Sequence, residues 1–268
     1  MADFTFPPLP GDLPLPPGDV VHATPLRGRG TARPVLWLAD ERMPDAGAWW
    51  TRWYAARERT GLYPLLLGTL DDPYSGVLDQ PWRTTGDLAY RSVRAIDALD
   101  AEDVLRDWWE PEVNREFHGA DSALARPWPG LAAPSDPART DPDEFAGLVA
   151  AQLTTGESLL TGLAPARRGA DALTAVGWHG PLNHTNDTEE ISVVVRSWEE
   201  RFGARVVMVG FATLCLSVAA PPTTREHARA VAAEHYAFCP DNIDQGTGDF
   251  EEYARELVNA STWSFWWD

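Results

Sequence analysis

The residue types best suited to chemistry stand near the end of the sequence, where His235, Cys239 and Asp241 follow one another closely. On a helix, side chains four residues apart lie on the same face, so His235 and Cys239 could meet, with Asp241 just past the helix end. A nucleophilic cysteine needs a base within hydrogen-bond reach and a third group that orients the base. A cysteine at an Ala- and Phe-rich helix end is more often a small buried apolar group. We therefore expect Cys239 to be buried, and we assert no catalytic residue.

Two further histidines, His179 and His184, lie close together in one predicted loop. With His235 and Cys239 they could supply four nitrogen and sulfur ligands to a zinc ion. Their spacing matches no zinc motif, and the two pairs are distant in sequence. The sequence also lacks a GxGxxG turn, a phosphate loop, an HExxH helix and a GxSxG elbow. We therefore expect no metal and no cofactor.

The chain contains 13 tryptophans, most of them at core-facing positions of predicted helices or in apolar runs. The doublet at the C-terminus is different, because adjacent residues of a strand point to opposite faces, and one indole is exposed unless both faces are covered. Asp241 and Asn242, which follow Pro240, could either bind a partner or form a turn that reverses the chain. The candidate binding residues are Trp128, Asp241, Asn242, Trp266, Trp267 and Asp268.

The composition is strongly acidic, with 40 Asp and Glu against 22 basic residues, all arginine, and a net charge of −18. Binding to nucleic acid or to an anionic membrane depends on clustered cations, so neither partner is expected. No apolar run is long enough to span a membrane, and the N-terminus does not resemble a signal peptide. Two cysteines without an export signal favour reduced thiols in the cytoplasm.

The N-terminal part of the chain divides into three predicted segments. Residues 1–33 are rich in proline and predict an extended arm. Residues 34–125 begin with an apolar run, a helix carrying Trp49, Trp50 and Trp53, and a second apolar run, which predicts a strand–helix–strand unit with a parallel pair. Five prolines in residues 126–142 predict an exposed linker.

Residues 165–268 predict a C-terminal domain of α-β-β-α-α-β order. Ile191, Val194, Val195, Trp198 and Phe202 form the apolar stripe of its first helix. Strands at 205–209 and 214–218 follow, then a helix opened by a capping box of Thr223 and Glu226. A short helix after Asp249 and a strand from residue 262 complete the domain. The fold class is α+β, with mixed α/β layers and the strand–helix–strand half packed against this one.

The C-terminal half resembles the bacterial domain of unknown function 4253 family. The segments that carry the resemblance are residues 196–204, 233–242 and 263–268. Upstream, residues 49–50, 60–67 and 108–109 are similar to long actinobacterial members of that family. The resemblance implies no reaction, cofactor or catalytic residue.

The function that these observations favour is non-catalytic binding of another protein. A strongly acidic chain associates fastest with a basic partner, so an immunity or inhibitor role towards a basic domain is consistent with the charge. The alternative is a thiol-dependent hydrolase or transferase that uses Cys239, His235 and Asp241. The two hypotheses differ in whether these three side chains converge in an open pocket.

Overall fold

A computed structural model describes residues 6–25, 30–72, 77–83, 88–136 and 140–268. Its strands are β1 (Gly18–Pro25), β2 (Arg33–Ala39), β3 (Tyr63–Leu67), β4 (Leu70–Asp72), β5 (Val77–Gln80), β6 (Ala89–Tyr90), β7 (Leu160–Ala164), β8 (Ala204–Val209), β9 (Thr213–Val218) and β10 (Thr262–Trp266). The helices are α1 (Ala46–Thr60), α2 (Ala101–Trp108), α3 (Pro111–His118), α4 (Pro142–Leu153), α5 (Gly169–Val176), α6 (Thr188–Phe202), α7 (Arg225–Phe238) and α8 (Phe250–Glu256). Short 3₁₀ helices occur at Val93–Ala98 and Ala123–Ala125, and a π-helix at Asn242–Thr247.

One mixed sheet organises the chain. Its strand order is β10-β9-β8-β3-β7-β2-β1-β6, and β4 and β5 form a separate ribbon. Helices pack on this sheet, and the C-terminal order α6-β8-β9-α7-α8-β10 is the predicted one. The α+β class is therefore confirmed. None of the described helices is both long enough and apolar enough to cross a membrane.

The predicted parallel pair in the N-terminal half is wrong. Strands β2 and β3 flank α1 as expected, but β7 lies between them and runs antiparallel to both. Gly162 of β7 makes this possible, because a Cβ there would come within 2.8 Å of Leu36 and 2.9 Å of Leu67. Strand β7, which follows the Pro-rich segment in the chain, thus separates the two strands of the predicted strand–helix–strand unit.

The expected arm at residues 1–33 is partly incorporated in the sheet. Strand β1 pairs antiparallel with β2, and Ala23 is buried. Just before β1, the carbonyl of Pro14 accepts hydrogen bonds from the indoles of Trp49 and Trp53, at 3.0 and 2.9 Å. These two bonds fasten the Pro-rich stretch to α1. Residues 1–5 and 26–29 of the expected arm lie outside the described residues.

The Pro-rich segment after residue 125 has no helix or strand in its described residues 126–136, as its prolines predict, but it is not wholly exposed. Ala132 is buried, and the amide of Ser135 donates to the carbonyl of Arg201 on α6. Residues 137–139 lie outside the described part. Strands from both sides of this segment share one sheet, and the division of the chain into domains here stays a prediction.

A buried carboxylate joins this segment to two helices. Glu234 on α7 has no exposed surface, and its two oxygens accept from Arg201 Nη1 and Nη2 at 2.7 and 2.6 Å. The same oxygens accept from the indole of Trp198 at 2.8 Å and from the amide of Ala132 at 2.6 Å. Four donors satisfy the carboxylate, so its burial is compensated.

Replacing Glu234 by Gln should therefore destabilise the protein by about 3–5 kcal/mol, because the largely buried guanidinium of Arg201 loses its counter-charge. Urea unfolding of the purified variants measures this free energy. Glu157→Gln, at an exposed position, is the control and should cost no more than about 0.5 kcal/mol. Equal midpoints for the two variants would show that the network contributes little.

Candidate functional site

The thiol of Cys239 lies in the core. Cys239 ends α7 and is fully buried, and its Sγ donates to the carbonyl of Trp266 at 2.9 Å. Burial raises the pKa of the thiol to about 12. The thiolate is the nucleophile, so a thiol with this pKa is unreactive near neutral pH.

His235 and Asp241 face other partners. The buried imidazole of His235 has its Nδ1 3.0 Å from the hydroxyl of Tyr253, and burial, with repulsion from Arg201, lowers its pKa to about 3. Asp241 accepts from the amide of Asp268 at 3.0 Å. The described contact between His235 and Cys239 is the backbone bond from the amide of Cys239 to the carbonyl of His235. The described bonds of the Cys239 thiol go to Trp266 and Asn242, so neither His235 nor Asp241 acts as its base.

The candidate binding residues at the C-terminus separate into buried and accessible ones. Trp267 is buried, and its indole donates to the carbonyl of Phe238. Asn242 is buried too, and its amide group bridges the backbone of Ser264 and Trp266. Both were expected at a binding surface, but each joins α7 or the π-helix to the β10 segment, because a buried polar group needs a partner.

Trp266, Asp268 and Trp128 keep more accessible positions. Trp266 is half-buried. Asp268 is exposed, and the carbonyl of Asp268 accepts a hydrogen bond from the side chain of Asn183. Trp128 is half-buried, edge-on to Trp109 at 5.5 Å between ring centroids. These three residues do not form one surface patch with the buried pair.

The four candidate zinc ligands have separate surroundings. His184 packs edge-on against Trp108, and burial lowers its pKa. The carbonyl of His179 accepts from the amide of Leu182 within the same loop. Across the described ranges, His, Cys, Asp and Glu side chains form no group of three or more that could hold a metal ion.

A large cleft lies elsewhere, between the α3 region and helices α7 and α8. This cleft encloses about 920 Å³ and has apolar walls that include Trp109, Phe117, Leu124, Pro127, Pro129 and Phe250. Its charged rim contains Asp121, Arg126, Glu226, Arg229, Asp249 and Glu251. The side chain of Phe117 is 80% exposed, and Val113, one turn before it on α3, is 43% exposed. A cavity of this size with an uncovered apolar wall is suited to a ligand or a partner segment.

A smaller cavity adjoins the cleft at Phe117. We call it the acidic pocket. It encloses about 340 Å³, and its lining includes the carboxylates of Asp107, Glu110 and Asp244 and the rings of Trp108, Phe117, His184 and Tyr236. Burial and the nearby Asp241 raise the pKa of Asp244. The pocket thus combines aromatic faces with crowded negative charge.

A polar cluster separates the cleft from the acidic pocket. His118 at the end of α3 has its Nε2 3.0 Å from the Tyr236 hydroxyl and 3.1 Å from Asp244 Oδ1. The Tyr236 hydroxyl donates to Asn114 Oδ1 at 3.1 Å, and burial raises its pKa. These bonds tie α3 to α7 and to the π-helix, an element frequent at functional sites.

Sequence reasoning missed the cleft because its two walls are distant in the chain. One usable signal was present in α3, where Val113 and Phe117 are four residues apart on an otherwise polar helix. Another was the run Asp107-Trp108-Trp109-Glu110, which places acidic residues on either side of two indoles.

Comparison with known proteins assigns the C-terminal part of the chain. Residues 160–268 match the model of a family described as Domain of unknown function (DUF4253). This match confirms the resemblance for the C-terminal part of the chain. The 4253 domain supplies α7, α8 and the π-helix, whereas α2 and α3 precede it. No curated protein and no solved structure matches the chain.

Both cysteines should resist alkylation in the native protein, because burial raises the pKa of Cys215 to about 11 and that of Cys239 to about 12. Iodoacetamide at pH 7.5, followed by peptide mass analysis, should label both only after denaturation. Rapid native labelling of Cys239 alone would support the thiol enzyme instead.

His235 should make stability fall in acid. Its pKa is about 3 in the fold and about 6.5 in the unfolded chain, so the unfolded state binds the extra proton between these values. Its contribution is complete above about pH 6.5 and decreases as the pH falls, by about 1.4 kcal/mol per unit between pH 6 and 4. Urea unfolding at several pH values measures this dependence. The His235→Gln variant should lack the His235 contribution to the pH dependence of its free energy of unfolding, whereas a His22→Gln variant, changed at an exposed position, should retain it.

Proposed function

We propose that this protein is a non-catalytic binding module that holds a basic segment of another protein in the cleft, with a cationic side chain in the acidic pocket. The single observation that carries the proposal is the acidic pocket beside an exposed apolar wall. Apolar contact supplies affinity at such a site, and charge selects the partner.

The charge in the acidic pocket is not neutralised from within. Asp107 and Glu110 form no ion pair with any residue in the described ranges, and Asp244 Oδ1 lies 3.1 Å from Nε2 of His118. The carboxylates of Asp107, Glu110 and Asp244 line one pocket, and like charges near one another repel. An arginine or lysine side chain would relieve this repulsion.

The aromatic walls favour the same occupant. Trp108 and Tyr236 line the acidic pocket, and a cation over an indole or phenol face gains roughly 0.5–2 kcal/mol. Phe117 stands where the pocket meets the cleft, so apolar residues that flank the cation can cover it. A basic residue with apolar neighbours is therefore the proposed recognition element.

The net charge of −18 supports an inhibitor or immunity role towards a basic protein domain, because long-range attraction speeds association. The same charge disfavours nucleic acid as the partner. We propose the cytoplasm of a bacterial cell as the location, and the two free thiols support a reducing compartment. The protonated, buried thiol of Cys239 favours this module over the alternative thiol enzyme.

Selection from a displayed library of random peptides tests the proposal without a known partner. Peptides enriched on the immobilised protein should contain an arginine or lysine next to apolar residues. Phe117→Ser should weaken their binding about tenfold or more, because it removes the exposed apolar wall. The double variant Asp107→Asn/Glu110→Gln should weaken binding similarly and reduce its dependence on salt.

Leu148→Ser is the matched control, since Leu148 is 64% exposed on α4 and does not line the cleft. It should leave the affinity unchanged. The proposal fails if no peptide is enriched, or if the enriched peptides bind the Phe117 and Leu148 variants equally well.

A further inference from the structure

A third cavity, apart from the cleft and the acidic pocket, is rich in arginine. It encloses about 310 Å³ and is lined by four arginines, namely Arg57, Arg167, Arg168 and Arg205, together with Tyr54 and Glu58. Arg57 lies near the end of α1, Arg205 at the start of β8, and the other two in the loop between β7 and α5. We propose that this arginine pocket binds the phosphate group of a small phosphate monoester.

Two arginines of the pocket share one ion-pair partner. Arg57 and Arg205 both pair with one carboxylate, that of Asp143, which lies 2.8 Å from Arg205 Nε. Asp143 thus holds both guanidinium groups, and the carboxylate of Glu58 lies 4.0 Å from Arg57 Nε. The side chains of Arg57 and Arg205 are only 16% and 23% exposed, so water screens their charges weakly.

The two arginines in the loop between β7 and α5 differ in their ion pairs. Arg168 is neutralised by Glu199 and Glu200. Arg167 is exposed and forms no ion pair with any residue in the described ranges. Its guanidinium group is available to a ligand at the pocket mouth. The four arginines face the four carboxylates of Asp143, Glu199, Glu200 and Glu58, so positive charge exceeds negative charge here when Glu58 turns towards solvent.

The acidic residues of the lining differ in how firmly their carboxylates are held. Glu199 is buried, and it accepts from Arg168 and from the amide of Ala170 at 3.0 Å. Glu200 bonds Arg168 and is 69% exposed. Glu58 is 70% exposed on the rim, 4.0 Å from Arg57, and can turn towards solvent. Glu58 is the one carboxylate of the lining that competes with an incoming anion.

The geometry suits a phosphate better than a single carboxylate. Guanidinium groups bind phosphate oxygens through paired N–H donors, and three of them from separate elements can contact a tetrahedral group from several sides. The ring of Tyr54 stacks on Arg57 at 4.0 Å and fixes its plane. The volume is at the lower end of the range for small-molecule sites, with room for the ester group.

Isothermal titration of the purified protein with inorganic phosphate, and then with phenyl phosphate, tests this inference at constant ionic strength and pH 7.5. Both anions should bind saturably, and phenyl phosphate more tightly if the ester group enters the pocket. Arg167→Gln should weaken binding about tenfold, because it removes a charge-assisted contact. Arg167 is exposed, so this variant should fold.

Two further variants distinguish a built site from general charge. Arg52→Gln, an equal charge change at an exposed position of α1 outside the lining, should leave the affinity unchanged. Glu58→Gln should tighten binding severalfold by removing the competing carboxylate. The inference is overturned if phosphate up to about 10 mM gives no saturable binding, or if the Arg167 and Arg52 variants bind equally.

Discussion

The buried carboxylate of Glu234 is the interaction on which the arrangement of the C-terminal half depends. It receives both ends of the Arg201 guanidinium, the indole of Trp198 and the amide of Ala132, so one side chain fixes α6, α7 and the Pro-rich segment relative to one another. The position of α7 then determines which of its residues face the core and which face the cleft. Tyr236, two residues further on, contributes to the acidic pocket, whereas His235 points into the aromatic core.

Much of the fold could be predicted because its signals are local. The apolar stripe of α6 and the strands β8 and β9 follow from periodicity, and α7 begins as expected, although Thr224 rather than Thr223 accepts the capping bond from His227. Strand order could not be predicted, because pairing partners are set by tertiary packing. Strand β7 is short, and nothing in its own sequence indicates a place between β2 and β3. At that place Gly162 fits closely between Leu36 and Leu67.

The candidate site was less predictable than the fold, for a similar reason. The i, i+4 spacing of His235 and Cys239 suggested a shared helix face, but Cys239 is the residue that ends α7, with φ −152° and ψ 82°. Its side chain therefore leaves the helical direction and contacts the backbone of Trp266. The cleft, by contrast, is formed by residues more than a hundred positions apart, such as Phe117 and Arg229. The bond between His118 and Tyr236 beside it also joins distant parts of the chain. Local spacing carries no information about such a contact.

The family domain and the preceding region contribute differently to the proposed binding surface. The 4253 domain provides α7, the π-helix and α8, which are fixed by the core around Glu234 and Trp198. The exposed wall comes from α3, outside the matched residues, and joins the domain through His118, Asn114 and their bonds to Tyr236. Residues on α3 such as Phe117 can change without disturbing the buried network, because they contact solvent rather than core. Partner specificity would then reside mainly in α3, while the 4253 domain supplies the rigid surface against which α3 is held.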